Sequence, residues 1–340
     1  MVRIGEVEVG EFPLLLAPME DVSDPPFRRL CKQQGADVVY TEFISSEGLI
    51  RHAAKSRQKL DIYGEERPVG IQIFGAERES MRESARIVEQ VQPDILDINF
   101  GCPVKKVTCK GAGAGILKDV DKMAELTREI VQSTGLPVTV KTRLGWNHST
   151  IRIVEVALRL QDAGIKALSI HGRTREQMYK GEADWSYIQQ VKEHPDIEIS
   201  IFGNGDVDTP EKAVAYREQY GVDGIMIGRA SIGYPWIFRE MKHYMATGKH
   251  LPPPTIAERV QVCREHLEYS LAWKGERTGL YEMRRHYANY FRGLPNFKPY
   301  RMELVTQDSP QAVYDTLSEI AATYPAVLAE LEAQKARHAA

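Results

Sequence analysis

Short apolar runs recur along the first two thirds of the chain, and polar residues or glycine close each of them. Longer segments with the apolar spacing of an amphipathic helix lie between these runs. Because a crossover between parallel strands needs a dozen residues or more, this alternation predicts parallel strands joined by helices. The eight predicted strands are Leu14–Ala17, Val38–Thr41, Val69–Phe74, Ile95–Asn99, Val138–Lys141, Ala167–His171, Glu198–Phe202 and Gly224–Gly228, and the predicted helices include Glu77–Gln90, Lys118–Gln132, Ile151–Ala163 and Thr209–Glu218.

Eight strand–helix units within about 230 residues fit a (β/α)8 TIM barrel, which typically takes ~250 residues. The predicted fold class is therefore α/β, a TIM barrel with a small C-terminal domain that is entirely helical. An open, doubly wound sheet is the alternative that this pattern alone leaves open.

Polar residues stand at or just beyond the carboxyl ends of the predicted strands. A TIM barrel builds its active site from that end, so these side chains are expected to converge on one pocket. Some of them will instead cap helices or bond to loops. The set comprises Met19, Glu20, Glu42, Gln72, Asn99, Lys141, Arg143, His171, Asn204 and Arg229.

The pattern changes near Thr247. The segment Leu251–Thr255 contains three consecutive prolines, which forbid a helix and predict a stiff connector. Thr255 fits an N-cap with Glu258 as its capping-box partner, and everything beyond is helical in character. We therefore predict a barrel domain over residues 1–247, a proline-rich linker over 248–255 and a helical domain over 256–340.

Composition narrows the class of protein. The 340 residues are 43% hydrophobic and 27% charged, which is typical of a globular chain. Four cysteines without a C-x-x-C pair argue against a disulfide framework and a structural zinc site, and we expect no metal. The formal net charge of −3 gives no global basic field. The chain contains neither a signal-peptide core nor an apolar run of about 18 residues, which predicts a cytoplasmic protein without membrane association.

Two glycine-containing turns follow the last two predicted strands. Gly203–Asp206 follows the seventh strand, and Gly228-Arg229 follows the eighth. Loops at these two positions of a TIM barrel frequently bind phosphate, and Arg229 adds a fixed cationic fork. The alternative is a pair of tight turns in which glycine relieves backbone strain.

Cys102 lies in the segment Asp97–Pro103, immediately past the fourth strand. Glycine and proline on either side favour a rigid turn that would hold the thiol over the barrel. An unperturbed thiol is mostly protonated at neutral pH and can donate a proton. A nucleophile activated by an adjacent base and a buried structural cysteine are the alternatives. For Cys31, Cys109 and Cys263 the structural interpretation is preferred.

Lys141 and His171 end the fifth and sixth strands. An ammonium at that position could stabilise the anionic pyrimidine edge of a reduced flavin, and an imidazole could bond to the same ring or to the substrate. A salt bridge at the strand end and a structural histidine are the alternatives.

The order of these motifs resembles the tRNA-dihydrouridine synthase family, most closely its bacterial B-type branch. The resemblance runs from Leu15 to about Phe238 and continues more loosely beyond. Short motifs such as Gly-Arg occur everywhere, but the ordered series is specific. Its carriers are Ala17-Pro18-Met19, Thr41-Glu42, Gln72–Gly75, Asn99–Pro103, Lys141–Arg143, His171–Thr174, Asn204–Asp206 and Met226–Ala230.

The resemblance implies an FMN-dependent enzyme that uses NADPH to reduce a uridine in the D-loop of tRNA. Cys102 takes the family's proton-donor position, donating to C5 of uracil while the flavin gives hydride to C6. Candidates for holding the target base are Asn99, Arg143 and Arg173. The matching cofactor residues are Ala17, Pro18, Met19 and Gln72 along the flavin, Lys141 and His171 at its ring system, and Asn204, Gly205, Asp206, Gly228 and Arg229 at its ribityl phosphate. One departure is Gly113–Leu117, where the family pattern leads us to expect a Gly-Ser-Ala-Leu-Leu-like stretch.

The segment from Lys274 to Arg301 is locally basic. It holds seven Lys and Arg residues against two Glu, a local charge of +5, interleaved with aromatic residues. Cations for phosphates and aromatics for splayed bases suit RNA binding, with Arg284 and Arg285 as candidate tRNA contacts. The alternative is a helix whose aromatics form a core while its charges are solvated.

Two rival functions remain open at this point. A barrel flavoenzyme for a free pyrimidine, similar to dihydroorotate dehydrogenase, would not need the basic segment. A catalytically silent RNA-binding module would not need Cys102 and Lys141. No obligate protein partner is implied.

Overall fold

A computed structural model describes the backbone of residues 1–339 and the side-chain environments of residues 1–328. Eleven strands and ten α-helices lie within residues 1–247, and only helices follow in the described chain. The strands are β1 (Val2–Ile4), β2 (Val7–Gly10), β3 (Leu14–Leu16), β4 (Val38–Tyr40), β5 (Ile44–Ser45), β6 (Val69–Phe74), β7 (Ile95–Phe100), β8 (Val138–Arg143), β9 (Ala167–His171), β10 (Ser200–Asn204) and β11 (Gly224–Ile227).

Eight of these strands form a closed parallel barrel. The pairing order is β3, β4, β6, β7, β8, β9, β10 and β11, and β11 pairs again with β3. The pairing of β4 with β6, through Val39 and Val69, closes the ring, while the two-residue β5 joins the end of β6. The predicted (β/α)8 TIM barrel is confirmed, and the alternative of an open sheet is excluded.

The barrel strands are buried on both faces, as helix-covered parallel strands are. Leu14, Leu15 and Leu16 have no exposed surface, and all residues of β7 and β9 are buried. Because these strands are nearly continuous apolar runs, their positions could be predicted from sequence. Each of the eight barrel strands begins within two residues of its predicted start.

The helices up to residue 247 alternate with the strands of the barrel. Helix α6 begins after Asp119, whose side chain accepts from the Lys122 backbone N–H, and α9 begins after Thr209, which caps Lys212 in the same way. The helices are α1 (Pro25–Gln33), α2 (Ser46–Ile50), α3 (Ala54–Gln58), α4 (Arg78–Val91), α5 (Lys105–Thr108), α6 (Val120–Val131), α7 (Ile153–Asp162), α8 (Ser186–Lys192), α9 (Pro210–Tyr220) and α10 (Ile237–Thr247).

The final helices confirm the all-α prediction for the C-terminal region. Thr255 caps the first of them through the Glu258 N–H, whereas the Glu258 carboxylate accepts from the indole of Trp236 at 2.9 Å. None of the described helices combines the length and the apolar character that a membrane span requires. The helices are α11 (Ile256–Lys274), α12 (Glu276–Tyr290), α13 (Lys298–Thr306) and α14 (Pro310–Ala339).

The chain divides into two compact units. The first contains residues 1–231 and 237–250, and the second contains 232–236 together with the chain from Leu251 onward. In the second unit, Trp236 is fully buried and packs edge-on against Tyr234 and Tyr290. The short segment 232–236 therefore belongs with the helical unit. The assignment of the two parts as flavin-binding and tRNA-binding domains stays a prediction.

Candidate active site

Strand register brings the predicted polar residues to one end of the barrel. Asn99 pairs with Lys141, and His171 lies between Arg143 on one side and Asn204 on the other. All four strands are parallel, so the side chains at their carboxyl ends share one face. We call this face the barrel mouth.

A chain of hydrogen bonds runs from the barrel interior to the loop that carries Cys102. Gln72 Nε2 donates to Asp97 at 2.5 Å, and Asn99 Nδ2 donates to Gln72 Oε1 at 2.8 Å. Asn99 Oδ1 in turn accepts from the backbone N–H groups of Gly101, at 3.0 Å, and Cys102, at 2.8 Å. Asn99 thus fixes the backbone of the cysteine loop. Its predicted contact with the base stays a prediction.

Cys102 lies in an apolar setting at the mouth. The residue is 7% exposed and belongs to a buried cluster with Ala76, Val107 and Ala112. Burial raises the pKa of the Cys102 thiol, so the group is protonated at neutral pH. A nucleophilic role would need a thiolate, which an apolar shell disfavours. The environment therefore suits proton donation.

Gly113 shapes the loop that follows Cys102. Its φ is +53°, and a Cβ placed on it would lie 2.9 Å from the Cys102 carbonyl oxygen. The neighbouring Ala114 N–H donates to that same oxygen at 3.0 Å. The stretch Gly113–Leu117, which departs from the family pattern, forms most of a short 3₁₀ helix over Gly113–Lys118. The departure is compatible with a tightly packed loop.

Lys141 presents its ammonium group at the mouth beside Asn204. Lys141 Nζ donates to Asn204 Oδ1 at 3.1 Å, and Asn204 Nδ2 donates to the Met226 carbonyl at 2.7 Å. Burial, reinforced by the charge of Arg143, lowers the pKa of Lys141 to about 8. Its hydrogen-bond partner is a neutral amide, and no carboxylate among residues 1–328 forms an ion pair with it. The alternative of a strand-end salt bridge is therefore not what the geometry shows.

Two buried arginines hold the segment that follows β9. Arg143 donates to the carbonyls of Gly101 at 2.8 Å, Thr174 at 3.0 Å and Met178 at 2.8 Å. Arg173 donates in the same way to the carbonyls of Lys180 and Gly181, and its Nη2 pairs with Asp206 at 2.6 Å. Both side chains are 2% exposed. They brace residues 174–181 over the mouth, and their predicted contact with the base stays a prediction.

His171 is neutral in this cationic surrounding. Burial, followed by the charges of Arg143, Lys141 and Arg173, holds the pKa of His171 well below its usual range. Its Nε2 lies 3.3 Å from Arg173 Nη1, which has hydrogens only to donate. Nε2 is therefore the acceptor of this pair, and the proton of the neutral ring sits on Nδ1.

The two glycine-containing turns differ in backbone geometry. Gly205 has φ of +120° and Asp206 +59°, whereas Gly228 lies outside the left-handed region. The Asp206 carboxylate accepts from Arg173, from the Ala183 N–H at 2.8 Å and from Arg229 at 3.3 Å. Burial tends to raise its pKa, but these partners outweigh it and lower the pKa of Asp206. A left-handed backbone conformation thus explains why the first turn has a glycine at position 205. It does not explain Gly228 in the second turn.

Gly228 lies beside two other residues predicted to bind the cofactor. A Cβ placed on it would lie 3.7 Å from Ala17 Cβ and 3.8 Å from Met19 Sδ. Pro18 and Met19 are partly exposed there, and the Arg229 side chain is 56% exposed. Within the described chain, the backbone N–H groups of Gly205, Asp206, Gly228 and Arg229 donate no hydrogen bond. The fold therefore places Gly228 beside Ala17 and Met19, and the contact of Arg229 with Asp206 links this turn to the one at Gly205.

Comparison with known proteins identifies the family. The model of the family "Dihydrouridine synthase (Dus)" matches residues 15–325 of the chain. The chain belongs to the dihydrouridine synthase family. This confirms the resemblance that the motif series indicated.

Relatives from several bacteria match nearly the whole length of the chain. It is 41% identical to "tRNA-dihydrouridine synthase B" of Pseudomonas aeruginosa, over 89% of this chain and 90% of the relative. Identity to "Probable tRNA-dihydrouridine synthase" of Rickettsia conorii is 36%, over 94% and 96% of the two chains. Histamine dehydrogenase from Rhizobium sp. 4-9 has a similar fold, with TM-score 0.52 and 12% identity over 77% of this chain. The match spans half of the histamine dehydrogenase chain.

The family residues at the barrel mouth have a neighbour that sequence reasoning missed. Tyr179 is 53% exposed, and its ring centroid lies 5.6 Å from the Arg143 guanidinium carbon and 5.0 Å from that of Arg229. Its position within an irregular segment gave no periodic signal. An aromatic residue amid Arg175, Met178 and Lys180 was the available clue.

A lysine pairs with two members of an acidic cluster near the mouth. The carboxylates of Glu20, Asp21 and Glu42 lie within 4.8 Å of one another. Lys59 Nζ lies 2.7 Å from Glu20 and 3.3 Å from Glu42. The family motif residue Glu42 therefore belongs to a salt-bridge cluster.

The helical unit carries the two arginines predicted to contact tRNA. Arg284 donates to the Gln307 carbonyl at 2.9 Å and pairs with Asp308 at 3.1 Å, so it also supports the fold. Arg285 is exposed. Tyr287, Tyr290 and neighbouring aromatics are buried. The basic segment is thus part core and part surface, and its contact with tRNA stays a prediction.

Proposed function

We propose that this protein is an FMN-dependent tRNA-dihydrouridine synthase. It reduces the C5–C6 double bond of a uridine in the tRNA D-loop with NADPH as the reductant, and it acts in the cytoplasm. The observation that carries the proposal is the Cys102 thiol, kept neutral by burial at the same barrel mouth as the Lys141 ammonium. Family membership and the names of the relatives support the tRNA substrate.

The residues at the mouth fit FMN. The N–H groups of Gly205, Asp206, Gly228 and Arg229 are available for the ribityl phosphate, and Arg229 supplies a positive charge. A side chain at Gly228 would occupy space beside Ala17 and Met19, so glycine there leaves room for a ligand. Pro18 and Gln72 complete the flavin-lining set, with Lys141, His171 and Asn204 near the ring and ribityl chain.

The chemistry divides between the cofactor and the protein. Reduced flavin would supply the hydride that C6 of uracil accepts, and NADPH would restore that reduced form. Cys102 donates its proton to C5, the thiolate so formed regains a proton from solvent, and two hydrogens have been added across the double bond. Lys141 would place a positive charge beside the anionic pyrimidine edge of the reduced flavin.

Asn99, Arg143 and Arg173 are proposed to hold the target uracil base in position. Asn99 fixes the backbone of Cys102, while the two arginines hold the segment over residues 174–181. A uridine must leave its stack to enter a barrel, so loops with fixed positions are needed to receive it. Arg284 and Arg285 of the helical unit are proposed to contact the tRNA backbone.

The test compares tRNA from cells that lack this gene with tRNA from the same cells carrying a wild-type or Cys102→Ala copy. Dihydrouridine, measured by mass spectrometry, should disappear from at least one site, return with the wild-type copy and not with the variant. A deletion that leaves dihydrouridine unchanged at every site, in a strain without paralogues, contradicts the proposal.

Purified protein separates the rival functions. Cys102→Ala should retain the yellow flavin spectrum and the rate of flavin reduction by NADPH, while reduction of tRNA slows by about 10²-fold or more. Loss of flavin in this variant would show that Cys102 has been assigned the wrong role. A colourless wild-type protein that binds tRNA would favour the silent RNA-binding module, and turnover of a free pyrimidine would favour the second rival.

A further inference from the structure

The structure separates the aromatic residues of the basic segment 274–301 into two groups. Tyr287 and Tyr290 have no exposed surface, and Phe291 is 1% exposed. Phe297 and Tyr300 pack with Tyr324, with ring centroids at 5.8 Å from it in each case. Tyr281 is the exposed aromatic residue of this segment, with 41% of its surface accessible. Core packing therefore accounts for the others and not for Tyr281.

Two arginines of helix α12 flank the Tyr281 ring. The Arg284 guanidinium carbon lies 4.4 Å from the ring centroid, and that of Arg277 lies 6.0 Å from it. Arg284 is fixed by its bonds to Gln307 and Asp308. Arg277 makes no hydrogen bond or ion pair with the described residues. One cation is thus held against the ring, while the other is at the limit of cation–π contact and can be replaced there.

Helical spacing puts these residues on one surface. Arg277, Tyr281, Arg284 and Arg285 stand at i, i+4, i+7 and i+8 of α12, which share one side of a helix. We call this set the α12 stripe. The nearby carboxylate of Glu282 is engaged by Lys274. The stripe therefore has the charge that complements a polyanion, with one aromatic ring at its centre.

We propose that Tyr281 stacks on an unpaired nucleobase of the tRNA, while Arg277 and Arg285 contact the adjacent phosphates. This inference rests on the proposed function, because it takes tRNA as the substrate. Proteins read RNA mostly in loops, where bases are splayed and stack on aromatic side chains. The base would stack on the Tyr281 ring at the position that the Arg277 guanidinium now occupies. Arg284 would stay in contact with the ring and hold it in place.

The experiment measures Kd and KM for unmodified tRNA with Tyr281→Leu, Tyr281→Phe and Arg277→Gln. Loss of one stacked base should raise Kd and KM roughly tenfold in Tyr281→Leu, with kcat at saturating tRNA and flavin content unchanged. Tyr281→Phe keeps the ring and should stay near wild type. Arg277→Gln should lower the slope of log Kd against log salt by about one, whereas Tyr281→Leu should leave that slope unchanged.

The matched control is Tyr63→Leu, which removes a tyrosine of similar exposure, 46%, that precedes the amino end of β6. It should bind tRNA like the wild type. Unchanged Kd and KM in Tyr281→Leu would overturn the inference, and so would equal losses in Tyr281→Phe and Tyr281→Leu, because a hydroxyl contact would then explain them. A wild-type protein that produces no dihydrouridine would instead contradict the proposed function.

Discussion

At the scale of single residues, Lys141 is a mouth group whose charge changes close to neutral pH. Burial lowers its pKa to about 8, so the ammonium loses its proton as the pH rises through that value. An attraction between this charge and an anionic flavin edge is therefore present below about pH 8 and lost above it. We expect the affinity of the apoprotein for reduced FMN, whose pyrimidine edge is anionic, to fall above pH 8, by at most about tenfold per pH unit.

Anaerobic absorbance titration of reduced FMN into the apoprotein at several pH values checks this expectation. Lys141→Arg is the control, since a guanidinium keeps its charge throughout the range and should flatten the profile. An affinity of the wild type that stays constant between about pH 7 and pH 9 would show that the Lys141 charge does not contact the flavin.

The sequence predicts which residues lie at the site better than it predicts the hydrogen bonds that they form. Cys102, Lys141 and His171 stood out because each follows an apolar run, and the register places them at one mouth. The sequence did not reveal that Arg143 bonds to Thr174 and Met178, which lie 31 and 35 positions away. Such bonds depend on side-chain geometry between loops, for which a sequence has no periodic signal.

At the scale of elements, Arg143 connects the end of β7 to the segment after β9. Arg143→Met would leave the carbonyls of Gly101, Thr174 and Met178 without this donor. Each unpartnered buried acceptor costs about 1–3 kcal/mol, so we expect a clear fall in the free energy of unfolding. Thermal unfolding measures this loss, and limited proteolysis should cut within residues 174–181 faster than in the wild type.

A second arginine, whose side chain makes fewer hydrogen bonds than that of Arg143, provides the comparison. Arg175→Met changes an arginine whose guanidinium, among the described residues, makes one hydrogen bond, at 3.5 Å to Thr108, and one cation–π contact, with Trp146. It should be destabilised less than Arg143→Met. Equal stability of Arg143→Met and the wild type would mean that solvent replaces the three bonds without loss.

The Gly113 position tests how tightly the cysteine loop is packed. Gly113→Ala places a Cβ at φ of +53° and 2.9 Å from the Cys102 carbonyl. We expect a loss of about 1–3 kcal/mol in the free energy of unfolding, with slower uridine reduction as the loop shifts. Gly64→Ala, where nothing lies within 4 Å of the new Cβ, should unfold like the wild type. Denaturant titration of the two variants decides the point, and equal stabilities would contradict it.

Elements with long apolar runs were predicted, and short alternating ones were missed. The barrel strands lie close to their predicted bounds, because they are buried on both faces, and α11 begins directly after Thr255, its predicted N-cap. The antiparallel hairpin of β1 and β2 has strands of three and four residues with mixed exposure. So brief an alternation occurs by chance in loops, and it gave no prediction.

At the scale of the whole molecule, charge is distributed unevenly along the chain. The net charge of −3 includes a local +5 between Lys274 and Arg301. A protein with this average need not repel RNA, because salt limits electrostatic interactions to about 10 Å at moderate ionic strength. We therefore expect the binding of a polyanion to depend on the local charge of the basic segment and not on the net charge of the chain.

This distribution predicts a salt-dependent loss of tRNA affinity in the double variant Arg284→Glu with Arg285→Glu. Each phosphate contact removed should lower the slope of log Kd against log salt by about one, so the double variant should lose about two. Arg284 also bonds to Gln307 and Asp308, so Arg285→Glu alone separates electrostatic loss from a change in folding. Arg86→Glu on α4 is the control, because it makes the same charge change on an exposed helix of the other unit. If all three variants bind tRNA with the wild-type slope, the basic segment is a solvated helix surface and the tRNA is held by other residues.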